Sequence, residues 1–163
     1  MIQFPDHMRP MQQGEEDAVD ALLSDAFDDP SEARLVQQLR RTKAIAGETV
    51  LPMGDRIVGY YALSRMVAPK GWLCLAPVAV ARDVQGRRFC TRMMGMLTEW
   101  ARMSDTYVVV LGKVSLYERG GFSHARTANL TSPYSGSHLM LAGPGSDAPT
   151  QTLVYPKPFQ DLD

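Results

Sequence analysis

The sequence predicts an α/β fold of the α+β kind: one domain with a mixed central sheet of about six to seven strands flanked by helices. Three observations predict it. Helix-periodic and strand-like segments follow one another in the order β-αα-βββ-α-β-α-ββ, and helices set between strands argue for layers rather than a bundle or barrel. The stretch Leu73 to Ala81 is apolar at nearly every position, as expected of a central strand covered on both faces. Finally, 163 residues, 45% of them hydrophobic and 21% charged, suffice for one core without a disulfide or structural metal. Residues 1–163 thus read as a single domain, with a core over 8–145 and a C-terminal extension over 146–163.

Each element has its own local reason. A short extended segment around Met8 to Met11 is ended by Gly14. From Glu15, Val19, Leu22, Leu23, Ala26 and Phe27 take the spacing of an amphipathic helix, which Asp28-Asp29-Pro30 breaks. Asp29 is placed to cap a second helix, with Pro30 first and Glu32 third. Leu35, Val36 and Leu39 line one face of that helix, and Arg40 and Arg41 suit the negative end of its dipole. Three strands follow: Ala44 to Pro52, Arg56 to Met66 after the turn Gly54-Asp55, and Trp72 to Ala81 after Pro69-Lys70-Gly71. Tyr60 and Tyr61 point to opposite faces, so one is expected in the core and the other beside a pocket. After the polar loop Arg82 to Gly86, a helix carries Phe89, Met93, Met96, Leu97 and Trp100 as its apolar stripe. Tyr107 to Leu111 is a further buried strand, Val114 to Arg119 a short helix stopped by Gly120-Gly121, and Phe122 to Arg126 and Leu139 to Ala142 the last strands. The ten methionines, several on the helix after the loop, read as core filler.

Composition removes several classes of function. Seventeen basic and eighteen acidic residues leave a net charge of −1, which favours neither nucleic acid nor an anionic membrane. The longest apolar stretch is nine residues, against the ~20 needed to cross a bilayer, and the N-terminus has no secretory pattern. Cys74 and Cys90 form no CxxC pair, and His7, His124 and His138 have no metal spacing, so no metal site is expected and a reducing cytoplasm is the expected home.

The segment with chemical content is a strand, a loop and a helix: Leu75 to Val80, then Arg82-Asp83-Val84-Gln85-Gly86-Arg87-Arg88, then the helix from Phe89. A helix start leaves up to four backbone N–H groups without partners, and with the helix dipole these suit a phosphate. Arg87 and Arg88 stand where they could add charge. Neither GxxxxGK[ST] nor GxGxxG is present, so a Walker loop and a Rossmann fingerprint are both unsupported.

These residues resemble the GCN5-related N-acetyltransferases. Pro77-Val78-Ala79-Val80 and Gln85-Gly86-Arg87-Arg88-Phe89-Cys90 fall into that family's Val-x-Val and Gln/Arg-x-x-Gly-x-Gly/Ala frame. Leu111-Gly112 through Leu116-Tyr117-Glu118-Arg119-Gly120-Gly121-Phe122 is similar to its strand, short helix and Tyr-x-x-x-Gly-Phe element. The two parts stand in the family's order, about thirty residues apart, and Val154-Tyr155-Pro156-Lys157-Pro158-Phe159 resembles the tail of small bacterial members. The likeness covers roughly residues 8 to 160. It departs from the pattern at Arg88, where the family has Gly, and at Cys90, where it has Gly or Ala.

The resemblance implies an acyl-coenzyme A-dependent N-acetyltransferase that moves an acetyl group from acetyl-coenzyme A to an amine on a small molecule or peptide. It implies that Val78 and Val80 bind the pantetheine arm, that the loop Gln85, Gly86, Arg87, Arg88, Phe89, Cys90 and Thr91 holds the pyrophosphate, and that Tyr117 protonates the departing thiolate. Arg88 could pair with a phosphate if its side chain points outward, and Cys90 could act as a small hydrophobe in the packing layer. The same two departures support an alternative, a catalytically weakened coenzyme A-binding or interaction module of the same fold. No general base is assigned: Glu48 and Ser64 lie on strands that could face the cleft, and water is equally open. No nucleic acid or membrane partner is expected, and a homodimer stands open beside the monomer.

Overall fold

The computed structural model describes residues 5–134 and 138–160. Its centre is a six-stranded mixed sheet in the order β1-β2-β3-β4-β5-β7. The strands are β1 (Arg9–Pro10), β2 (Ile45–Met53), β3 (Arg56–Arg65), β4 (Leu73–Val80), β5 (Val108–Leu111) and β7 (Leu139–Ala142). A separate parallel pair joins β6 (Leu130–Thr131) to β8 (Gln151–Thr152). Within the main sheet only β4 and β5 are parallel, because helix α3 (Phe89–Met103) carries the chain back between them. The remaining helices are α1 (Glu16–Phe27), α2 (Ser31–Arg41), α4 (Val114–Arg119) and α5 (Lys157–Gln160).

Two apolar clusters hold these layers together. The larger contains Val19 and Leu23 of α1, Val58 and Tyr60 of β3, and Phe89, Met93, Met94 and Leu97 of α3. The second joins Leu35 and Leu39 of α2 to Trp72, Cys74, Val109 and Leu141, and it takes in Leu153, Tyr155 and Phe159 from the tail. Trp72 and Tyr107 stack in this second region with ring centroids 4.7 Å apart. None of the helices among the described residues is long and apolar enough to cross a membrane.

Five expectations need correction. Tyr60 and Tyr61 are both buried, at 0% and 6% exposure, because β3 is covered on both faces. The Tyr60 hydroxyl donates to Glu48 Oε1 at 2.6 Å, and Arg40 holds the same oxygen at 2.9 Å. Glu48 is therefore committed inside the packing, and Ser64 is fully buried across from Cys74, so neither faces a cleft. On α3 the buried stripe is Phe89, Met93, Met94, Leu97 and Ala101, whereas Met96 and Trp100 are 56% and 45% exposed. Ala101 is fully buried, and Met94 lies against Gly120, a contact that no periodicity records. The methionines accordingly divide: Met93 and Met94 fill the core, while Met96 and Met103 face outward. Phe122 to Arg126 is not a strand. Only Ser123 bridges, to Leu141, before Ala125–Thr127 turns as a 3₁₀ helix closed by the Thr127 hydroxyl on the His124 carbonyl.

The start of α2 also differs in detail. Pro30, not Asp29, occupies the N-cap position, while the Asp29 carboxylate accepts the Ser31 N–H at 2.7 Å from one residue further out. Glu32 does not reach back to close a capping box. It lies half-buried in a cavity instead.

Candidate functional site

Strand β4 is bonded to β5 only along its first part. The ladder runs Leu73↔Val108, Cys74↔Val109, Leu75↔Val110 and stops there. Pro77 has no N–H to give, and the β3–β4 register shifts between Tyr61↔Val78 and Leu63↔Leu75, so β4 carries a bulge at Ala76-Pro77. Beyond the bulge β4 leaves β5, and Val78 and Val80 turn half-exposed side chains into a cavity of about 470 Å³.

The rest of that cavity comes from the loop and helix that follow. Gln85, Gly86, Arg88, Phe89, Cys90 and Thr91 line it, so the structure gathers these with Val78 and Val80 at one place. Arg87 does not line it; the next two residues turn inward and leave its side chain exposed. The loop is fastened from outside: Arg56 grips the Asp83 carboxylate through two bonds of 2.7 and 2.9 Å and holds that carboxyl below its ordinary range. Arg82 Nε donates to the Asp25 carbonyl at 2.8 Å, and Gln85 Nε2 donates to the Val80 carbonyl at 2.9 Å. The start of α3 has no side-chain cap and no acidic residue in its first turn, so its N–H groups and dipole face the cavity uncompensated.

Position 88 explains its own preference for glycine. The backbone there is left-handed, with φ +64°, as it is at Gly86 with φ +89°. A side chain at 88 is tolerated, but at a strained position. Its guanidinium and that of Arg119 are the cations of the cavity, and no carboxylate accompanies them among the described lining residues. The sequence reading missed Arg119. It lies one helical turn after Leu116 on α4, and that i, i+3 spacing was the available signal.

Tyr117 closes the cavity on the α4 side. Its ring meets Phe122 edge-on, centroids 6.0 Å apart at 87°. Gly112 lies directly beneath the ring, and a β-carbon there would collide with it. Burial, with a smaller contribution from nearby Cys90, raises the phenol well above its ordinary pKa, so it stays protonated. Burial likewise raises the Cys90 thiol, which makes it a poor nucleophile and a small apolar surface at the cavity wall.

A second cavity of about 320 Å³ borders the other stretch of β4, at Cys74 to Ala76, and continues along Val109 to Leu111 of β5. Leu35 and Glu32 of α2 and Tyr134, Tyr155 and Phe159 complete it. Both cavities therefore meet β4 on either side of the point where its ladder with β5 ends. Among the described residues no group of three or more His, Cys, Asp or Glu side chains is placed to hold a metal.

Comparison with known proteins identifies the family. Residues 11–122 match the model of the acetyltransferase (GNAT) family. The uncharacterized N-acetyltransferase YhbS of Escherichia coli K12 is 30% identical over 128 residues, covering 73% of this chain and 74% of that protein. The crystal structure of Escherichia coli YhbS in complex with CoA superposes with a TM-score of 0.88 at 24% identity, over all of this chain and 96% of that one. A GNAT acetyltransferase from Brucella melitensis in complex with acetyl-CoA gives 0.77 at 23% identity, over 94% and 97%. The chain belongs to the acetyltransferase (GNAT) family and is an N-acetyltransferase by class.

Proposed function

We propose that the protein transfers an acetyl group from acetyl-coenzyme A to an amine. The observation that carries this is the end of the β4–β5 ladder beside an uncapped helix start, with Tyr117 protonated at the same cavity. The pyrophosphate of the donor lies against the N–H groups of Gly86 to Thr91, with Arg88 and Arg119 supplying positive charge. Its pantetheine arm runs along Val78 and Val80, and a backbone N–H of that stretch polarises the thioester carbonyl. Once its ammonium has lost a proton to water, the amine nitrogen attacks that carbonyl carbon; a C–N bond forms, the C–S bond breaks, and the nitrogen sheds a second proton to water. Tyr117 gives its proton to the departing sulfur and recovers one from water. The YhbS and Brucella structures, which hold CoA and acetyl-CoA, support the choice of donor. Free thiols at Cys74 and Cys90 suit a reducing compartment, and we assign the enzyme to the cytoplasm.

The test is thermal unfolding with and without acetyl-coenzyme A, followed by release of free thiol on adding an amine. Donor at ~100 times its dissociation constant stabilises the fold by about 2.7 kcal/mol. An unchanged melting temperature at millimolar donor overturns the reading.

A further inference from the structure

We infer that the second cavity takes the acceptor, and that the acceptor is a monoamine on an apolar or aromatic body whose ammonium is received by Glu32 and Tyr155. The inference rests on the acetyl-transfer reading above and adds the class of the acceptor. The walls carry the argument. Leu35, Leu75, Val110 and Leu111 are aliphatic, and the rings of Tyr134 and Phe159 close the space, so the body of the ligand meets hydrocarbon almost everywhere. At about 320 Å³ the cavity is near the small end of ligand pockets, which run ~300–1,000 Å³.

Two polar groups in this wall lack partners among the described residues. Glu32 is half-buried, has no ion pair or hydrogen bond among the described residues, and is influenced there by burial and the Asp29 carboxylate, both of which disfavour its charged form. A buried carboxylate without a cation is costly, and an ammonium would relieve that cost. The Tyr155 side chain is only 5% exposed, and its hydroxyl, with Ser132 near it, makes no hydrogen bond among the described residues. A tyrosine oxygen can accept from an ammonium. Glu32 is the one charged group among the described lining residues, so a single positive charge is matched and a second would be buried unpaired. Polyamines are therefore poor acceptors. The cavity also reaches β4 at Ala76, beside the end of the ladder, where the proposed donor site begins.

Titration calorimetry with phenethylamine and with spermidine, each with and without coenzyme A, tests the inference. Phenethylamine should bind more tightly than spermidine, and Glu32→Gln should weaken it by about 10–100-fold, the effect of losing one charged hydrogen bond. Tyr155→Phe, which removes a hydroxyl with no hydrogen-bond partner among the described residues, should keep the melting temperature and still weaken the amine several-fold. No phenethylamine binding in either state, spermidine binding as tightly, or full affinity in Glu32→Gln overturns the proposal. Binding without acetyl transfer supports the cavity assignment and defeats the transfer reading. Transfer to spermidine with no binding of phenethylamine does the reverse.

Discussion

The two cavities share strand β4 but are assembled in different ways. The first draws on Val78 to Thr91 and one short helix, so most of its wall is a single continuous piece of chain. The second is built from α2, the middle of β4, the end of β5, Tyr134 and the tail, pieces up to 127 positions apart between Glu32 and Phe159. Continuity makes the first a local device: backbone N–H groups, a bulge and a helix start fixed by neighbouring residues. The second exists only when the whole fold has closed, and its shape depends on how the tail packs.

The largest expected effect separates chemistry from packing in the first cavity. Tyr117→Phe removes a hydroxyl that makes no hydrogen bond among the described residues and leaves the edge-on ring contact with Phe122 in place. Turnover should fall ~10²–10⁴-fold, with acetyl-coenzyme A affinity and melting temperature unchanged. The raised pKa of Tyr117 keeps the acid loaded as pH rises, so the wild type does not lose its proton donor at the ordinary tyrosine pKa of ~10. The deficit of the variant should shrink above ~8.5, where a thiolate leaves without help. A variant as fast as wild type at pH 7, with chemistry rate-limiting, sinks the acid role.

The second prediction addresses the other construction. Phe159 is buried in the wall of the second cavity; its ring meets Tyr155 at 5.9 Å, and its carbonyl accepts the Tyr134 hydroxyl at 3.1 Å. Phe159→Ala should destabilise the protein by about 3 kcal/mol, the lower end for a buried phenylalanine, because the ring already borders a cavity on one side. Acetyl-coenzyme A should bind the folded variant as before, and acceptor binding should weaken. Loss of donor affinity in step with stability would mean that the two cavities are not independent.

How much of each region could be read beforehand follows from the same difference. The stretch Val78 to Thr91 was legible as a unit because a strand, a loop and a helix start in immediate succession leave a pattern in consecutive residues, although Arg87 lies outside the cavity that its neighbours line, and Tyr117 stood in a second short pattern. The periodic helices α1 and α2 and the apolar run of β4 were legible for the same reason. Glu32 was read as a capping residue, since spacing from Asp29 is local whereas the cavity it faces is made by Phe159. Tyr61 and Trp100 went the other way round: their burial depends on what covers a sheet face or helix side, and that is decided by segments far away in the chain. The left-handed turn at Arg88 was hidden because arginine does not announce a positive φ.

That turn gives the smallest effect and the sharpest comparison. Replacing Arg88 by glycine removes a left-handed strain of roughly 1–2 kcal/mol and adds unfolded-state freedom of about 0.4–1 kcal/mol. The folded protein should therefore gain about 0.5–1 kcal/mol, read as a small rise in melting temperature without donor. The same change deletes one of the two cations of the first cavity, so acetyl-coenzyme A should bind several-fold more weakly at low salt. The gap should narrow as salt screens the remaining charge, because the guanidinium is exposed and the Debye length falls from ~10 Å at 0.1 M to ~3 Å at 1 M. Stability and affinity thus move in opposite directions on one substitution, which a purely structural residue at 88 would not produce. Equal or tighter donor binding with an unchanged salt dependence would remove Arg88 from the phosphate site, leaving Arg119 and the helix start to hold it. A fall in melting temperature would contradict the backbone argument instead. The two readouts separate the charge of Arg88 from the conformation it adopts.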